Sequence, residues 1–266
     1  MSTSSRLNDT LAGGGFAVLA LAPSVCGVDL APVKNFAASV KGKVTAVIAP
    51  DNAGAAVSAS ALAVSRTLLY ADVEPVMCMA TRDRNRMALC ADLLGAGALG
   101  IVNIFVTNGV HPNIGSMPQS MRVYDVDAVL MLAIANKIMA EKALPNGEAV
   151  TGEPNFFLGA TANPFVKSAE LHLSVLKKKA AAGAKYFITS PVYDVAAFSS
   201  WMDGIKKAGI ADKCAVIAGV PLSKEKYGDE AVAKCRETIA AVKNVPGCRG
   251  VAIMAPGYEE MTAQVL

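Results

Sequence analysis

The chain has 266 residues, 53% of them apolar and 18% charged, with a formal net charge of +3. That length supports one large domain with a substantial core. The small charge gives no electrostatic footprint for a nucleic-acid partner, and no run approaches the roughly 18 apolar residues that span a bilayer. Residues 13–22 are apolar and imitate a short signal segment, but Asp9 precedes them, only Arg6 supplies positive charge, and the second half reads as a strand. Six cysteines are scattered without a CxxC pair, so zinc and iron–sulfur spacings are absent. They read as small hydrophobes of a reducing compartment, and the expected location is the cytoplasm.

Eight apolar or β-branched runs then follow in chain order, at 16–22, 44–49, 75–80, 101–107, 155–160, 185–190, 215–220 and 250–255. Helical patterns lie between them, most clearly at 53–70, 86–95, 126–142, 168–182, 195–208 and 229–242. In the stretch 168–182, Leu171, Val175 and Leu176 share one face and Lys177 and Lys178 another, as a surface helix requires. Trp201 and Phe198 are placed to pack one helix face. Alternation of strand and helix predicts a parallel sheet with right-handed crossovers. Eight units in about 250 residues predict an α/β fold closed into a single (βα)8 TIM barrel. The alternative is an open doubly wound sheet, which carries a glycine-rich turn after its first strand. Gly13-Gly14-Gly15 precedes that strand and reads as a flexible lead-in, so residues 1–15 are set apart as an N-terminal lead-in and 16–266 as one barrel domain.

The most informative segment is the turn Arg82-Asp83-Arg84-Asn85 after the strand ending at Ala80. The carboxyl ends of barrel strands are where chemistry is placed. Downstream come Asp92-Leu93-Leu94-Gly95-Ala96, Val123-Tyr124-Asp125-Val126-Asp127 and Leu158-Gly159-Ala160-Thr161-Ala162-Asn163-Pro164. Then follow Leu176-Lys177-Lys178-Lys179, Ile188-Thr189-Ser190-Pro191-Val192-Tyr193-Asp194 and Ala252-Ile253-Met254-Ala255-Pro256-Gly257-Tyr258-Glu259-Glu260. In order and spacing these pieces resemble the methylenetetrahydrofolate reductase family, especially its short bacterial form. The likeness runs from about Phe16 to Glu260 and implies the same barrel. It also implies hydride transfer between a reduced flavin, FAD or FMN, and a folate, in which the protein positions the reactants and sets their electrostatics.

Three positions depart from that pattern. Leu21 stands where the family has its proton-donating glutamate, and leucine cannot donate a proton. Thr107-Asn108-Gly109 replaces Thr-Gly-Asp, leaving Asn108 as the nearest substitute for the aspartate beside the flavin. Ser190 replaces the folate-binding glutamine. Pro50-Asp51-Asn52 keeps the Asp-Asn of the second loop. A divergent paralogue is therefore expected. It is either a reductase-type protein of folate metabolism with altered activity or an inactive scaffold that binds flavin, folate or a partner reductase subunit.

By the resemblance, Arg82, Thr107, Asn108, Asp125, Asn163, His172, Lys178 and Lys179 fall at the cofactor, and Ser190, Tyr193 and His111 near the substrate. Each also has a plain reading. The lysines suit a solvated helix face, and Arg84 suits an ion pair with Asp83 or Asp92. Asp125 suits a helix N-cap, and Asn163 a turn before proline. His172 suits a surface histidine. The small residues of 53–63 suit either helix-on-barrel packing or a homo-oligomer contact.

Overall fold

The computed structural model describes residues 5–266. Eight parallel strands close into a barrel: β1 (Ala17–Leu21), β2 (Ala46–Ala49), β3 (Pro75–Ala80), β4 (Asn103–Thr107), β5 (Phe157–Ala162), β6 (Tyr186–Pro191), β7 (Ala215–Pro221) and β8 (Cys248–Met254). The order follows the chain, and β8 closes on β1 with Ala17 opposite Gly250 and Ala20 opposite Ile253. Side chains two apart on a strand share a face. Leu19 of β1, Ala46 and Ile48 of β2, Val76 and Cys78 of β3, Phe105 of β4, and Tyr186 and Ile188 of β6 fill the interior. Tyr186 is the largest member, and Gly159 of β5 leaves it room. A Cβ built there would lie 2.2 Å from the Tyr186 ring.

Helices α1 (Arg6–Ala12), α2 (Ala31–Val40), α3 (Ala61–Tyr70), α4 (Arg86–Ala98), α5 (Ala128–Glu141), α6 (Ala169–Ala181), α7 (Val195–Lys207), α8 (Lys224–Tyr227), α9 (Ala231–Lys243) and α10 (Thr262–Val265) complete the chain. α2 is absent from the periodic segments singled out in the sequence, although its signals are local. Proline occupies its first turn, and Val33, Phe36, Ala37 and Val40 make one buried stripe. The expected pairing of Phe198 and Trp201 on α7 is present, with stacked rings 5.9 Å apart.

Three expectations need correction. Residues 6–12, set apart from the barrel in the sequence, form α1, whose Leu7 and Leu11 are buried in the cluster that fills the barrel. The apolar spacing of these leucines lets a short helix close the amino-terminal end. The helix expected over 53–70 begins only at Ala61, where Ser60 caps it by accepting from Ala63 N. Upstream, Asn52, Gly54 and Ala55 all have positive φ, which no right-handed helix accommodates. Strand β5 starts two residues later than expected, at Phe157, because its amide bonds to the carbonyl of Val102.

Candidate functional site

The mouth at the carboxyl ends of the strands holds a cavity of about 420 Å³. Leu21, Ile48, Cys78, Phe105, Ile188 and Met254 give it an apolar floor, continuous with the interior stack. Asp51, Asn52, Arg82, Thr107, Asn108 and Thr161 form a polar rim. A second cavity, of about 450 Å³, lies at the opposite end, between the end of α4 and the segment 144–156. Only the first sits where barrels of this kind carry their sites.

Arg82 organises the rim and is 2% exposed. Its Nε and Nη2 fork onto Asp83 at 2.6 and 2.8 Å. Nη1 donates to the Val110 carbonyl at 3.0 Å, and Nη2 also donates to that of Asn52 at 3.2 Å. Its own carbonyl accepts from Val123 N at 2.8 Å. One guanidinium thus ties together the loops after β2, β3 and β4. The bond from Arg82 holds the Asp83 carboxyl below its usual range. Gly109 has φ +75°, and a Cβ there would lie 3.0 Å from Arg82 Nη1, so glycine is needed for both conformation and space. The loop after β2 also approaches the loop after β4 directly, where Ser116 N donates to the Ala55 carbonyl at 3.1 Å.

Asp51 is the second organising group. Its Oδ2 accepts from Ala80 N at 2.7 Å and from Arg84 Nη2. Arg84 also reaches Asp92 of α4 at 2.5 Å, so the expected ion pair with Asp92 is present and Asp51 joins it. Burial pushes the Asp51 pKa up against the opposing pull of Arg84. Asp51 is absent from the site residues assigned on the sequence. The signal for it was a carboxylate just past the end of an apolar strand.

Of the residues assigned on the sequence, Leu21, Arg82, Thr107 and Asn108 meet at this cavity. Thr107 Oγ1 accepts from Gly109 N at 3.2 Å. Asn108 Oδ1 accepts from Ala128 N at 2.7 Å, at the start of α5. The cap of that helix is Asp127, which accepts from Leu130 N, and not Asp125. Asp125 instead pairs with Arg86, accepting from its Nε and Nη2 at 3.0 Å.

Asn163, His172 and Lys179 form a separate group behind β5. Asn163 makes the expected turn, with its Oδ1 accepting from Phe165 N at 3.0 Å, while its amide donates to His172 Nε2 at 3.1 Å. His172 is therefore a half-buried structural acceptor, not a surface histidine, and burial followed by the charge of Lys179 lowers its pKa. Lys179 is buried too, which corrects the reading of the triplet as one solvated face. Its Nζ donates to the carbonyl and hydroxyl of Thr161 at 2.7 and 3.2 Å. Burial brings its pKa down to about 8. Lys178 is exposed.

The remaining three lie outside the cavity. His111 is exposed in the loop after β4. Its Nε2 lies 2.5 Å from Arg122 Nη1, and its Nδ1 accepts from Asn113 N at 3.2 Å beside Asn113 Oδ1 at 2.8 Å. Ser190 is half-buried near the end of β6. Tyr193 is exposed, with Lys226 Nζ 3.7 Å from its ring centre. All six cysteines are free, five of them buried. Among the described residues no group of His, Cys, Asp or Glu is arranged to hold a metal ion, and no helix is long and apolar enough to cross a membrane.

An eight-stranded barrel with a ligand-sized mouth is a class shared by many enzymes and binding proteins. The family model for methylenetetrahydrofolate reductase matches residues 37–228, well over half of the chain. The chain belongs to the methylenetetrahydrofolate reductase family. Among solved structures, it is similar to an uncharacterized protein from Clostridium thermocellum that binds two copies of 5-methyl-5,6,7,8-tetrahydrofolic acid. That match has a TM-score of 0.66 at 10% identity, covering 98% of this chain and 96% of that one. It is also similar to a phosphonopyruvate hydrolase complexed with oxalate and Mg++, with a TM-score of 0.60 at 11% identity, covering 99% and 84%. At such identities the likeness shows the fold. No match is found among curated proteins.

Proposed function

We propose that this chain binds a reduced folate in the barrel mouth and does not carry out the ordinary flavin-dependent reduction. One observation carries the reading: Leu21 lines the cavity where the family resemblance places the proton donor. The rim carboxylate Asp51 is already paired with Arg84, and Asp83 behind it with Arg82. General acid catalysis is typically worth 10²–10⁴ in rate. A leucine there forfeits it while adding apolar surface for a flat heterocycle. Family membership supports folate as the ligand, and so does the folate-binding title of the Clostridium thermocellum structure.

A flavin fits these residues poorly. Arg82 spends its guanidinium on Asp83 and two carbonyls. Lys179 is turned onto Thr161, Asp125 onto Arg86, and Asn108 onto the start of α5. Of the residues assigned to the cofactor, Lys178 keeps an exposed ammonium for a phosphate. Family membership favours a second reading, a reductase-type oxidoreductase that acquires FAD or FMN, with a partner reductase subunit or a second copy supplying the missing groups. Absent disulfides and five buried thiols support a cytoplasmic setting.

The test is the purified protein mixed with FMN, FAD and 5-methyltetrahydrofolate. The expected result is a colourless protein after gel filtration, saturable folate binding, and no dye-linked oxidation of the folate. Retained flavin absorbance together with folate turnover would establish the second reading instead.

A further inference from the structure

Asp51 has a feature that the packing of the loops does not use. Its side chain is 6% exposed, yet only one of its two oxygens is committed. Oδ2 takes the Ala80 amide and the Arg84 guanidinium. Oδ1 makes no hydrogen bond among the described residues, and it is not sealed from solvent as a buried unpartnered atom would be. Asp51 lines the mouth cavity, above an apolar floor.

A carboxylate oxygen in such surroundings calls for a donor. Two neighbouring donors are already engaged. Asn52 Nδ2 is directed to Asp83 at 3.1 Å, and Arg82 is consumed by Asp83 and the two carbonyls. Arg84, held from the other side by Asp92, fixes the carboxylate in place before any ligand arrives. The guanidinium on Oδ2 favours the charged, accepting form of the carboxylate against the upward push of burial.

We propose that Asp51 is the anchor for the aminopyrimidine edge of a pterin ring, with its free Oδ1 accepting from the ring's 2-amino group. This rests on the folate reading and names the atom that recognises the ligand. The chemistry matches on both sides. A neutral pterin presents adjacent N–H donors on one edge and an otherwise flat carbon–nitrogen face. That face suits Leu21, Ile48 and Phe105, while the edge meets the uncommitted Asp51 Oδ1. A site built to pair an N–H strongly rejects an analogue that lacks it, because the buried acceptor is then left unpaired.

Calorimetric titration of the full chain with 5-methyltetrahydrofolate and with its 2-desamino analogue tests the assignment. The analogue is expected to bind about 10- to 100-fold more weakly. Asp51→Asn is expected to bring 5-methyltetrahydrofolate down toward the analogue's affinity and to leave the analogue itself nearly unchanged. Where that variant fails to fold, the comparison of ligands on the wild-type protein decides. Equal affinity of wild type for the two ligands overturns the anchor and leaves the folate reading standing. Binding of neither ligand removes the folate reading and the anchor with it.

Discussion

Arg82 holds three loops of the mouth with one side chain, so its loss is predicted to cost more than an ordinary surface pair. Arg82→Met strands the Asp83 carboxylate and the carbonyls of Asn52 and Val110. Asp83 keeps partial solvent access, with a side chain 32% exposed. The full penalty of breaking a buried pair is therefore discounted to about 2–4 kcal/mol. Arg82→Lys recovers only part, because an ammonium cannot fork onto a carboxylate and two carbonyls together. Urea denaturation checks both, and a loss under about 1 kcal/mol for the methionine variant would contradict the role. Lys179 gives a pH signature. Its pKa is about 8 in the folded protein against 10.5 for the free group, so burial penalises the charged form. The unfolded chain binds more protons between those values, and this site's contribution to stability rises with pH across that window. Its full benefit is present above about pH 10.5 and is lost as pH falls through 8. Lys179→Met should flatten the rise between pH 7.5 and 9.5 in parallel denaturation curves, and an unchanged slope would refute the assignment. At this scale the family resemblance made Leu21, Arg82, Thr107 and Asn108 legible as mouth residues, and each also ends or follows a strand. Their commitments were not legible, since two of Arg82's bonds go to loop carbonyls, which carry no mark in the residue types. Likewise two aspartates lie two residues apart before α5, and only the fold brings Arg86 to the first and leaves the second to cap the helix.

Helix α1 shows how a short element is held. Glu74, just before β3, accepts from Arg6 N at 2.7 Å, from Leu7 N at 2.9 Å and from Asn103 Nδ2 at 2.8 Å. Ser5 Oγ joins the same group at 3.2 Å from Glu74. A carboxylate thus meets the open amides and positive end of α1 while Leu7 and Leu11 plug the barrel. Glu74→Ala is predicted to cost about 2–3 kcal/mol. It should also speed amide exchange in residues 6–12 before the barrel strands exchange, whereas uniform exchange would argue that the plug is not separately held. Inside the barrel, Gly159→Ala drives a methyl group into the Tyr186 ring. A loss of about 1–3 kcal/mol is expected, partly relieved by Tyr186→Leu in the same chain. Additive losses in the double variant would contradict the contact. The long periodic helices α4, α5, α6, α7 and α9 were legible from apolar spacing. The break before α3 was not, because Ala, Val and Ser at 53–60 suit a helix locally. Backbone contacts between the loops after β2 and β4 override that preference.

For the whole molecule, the closed barrel follows from eight apolar runs alternating with helices, a pattern that an open sheet does not need. The apolar floor of the mouth follows from the same alternation, because the residues that fill the barrel also surface at its carboxyl end. What strand periodicity alone does not reveal is which rim groups stay uncommitted, and the proposed folate site turns on them. Calorimetric titration of 5-methyltetrahydrofolate into the flavin-free protein, beside a Leu21→Trp variant that fills the cleft, tests this most directly. The account predicts saturable binding by the wild-type chain and loss of that heat in the variant. Absence of binding by the wild type, or undiminished binding by Leu21→Trp, would contradict a folate site in the barrel mouth.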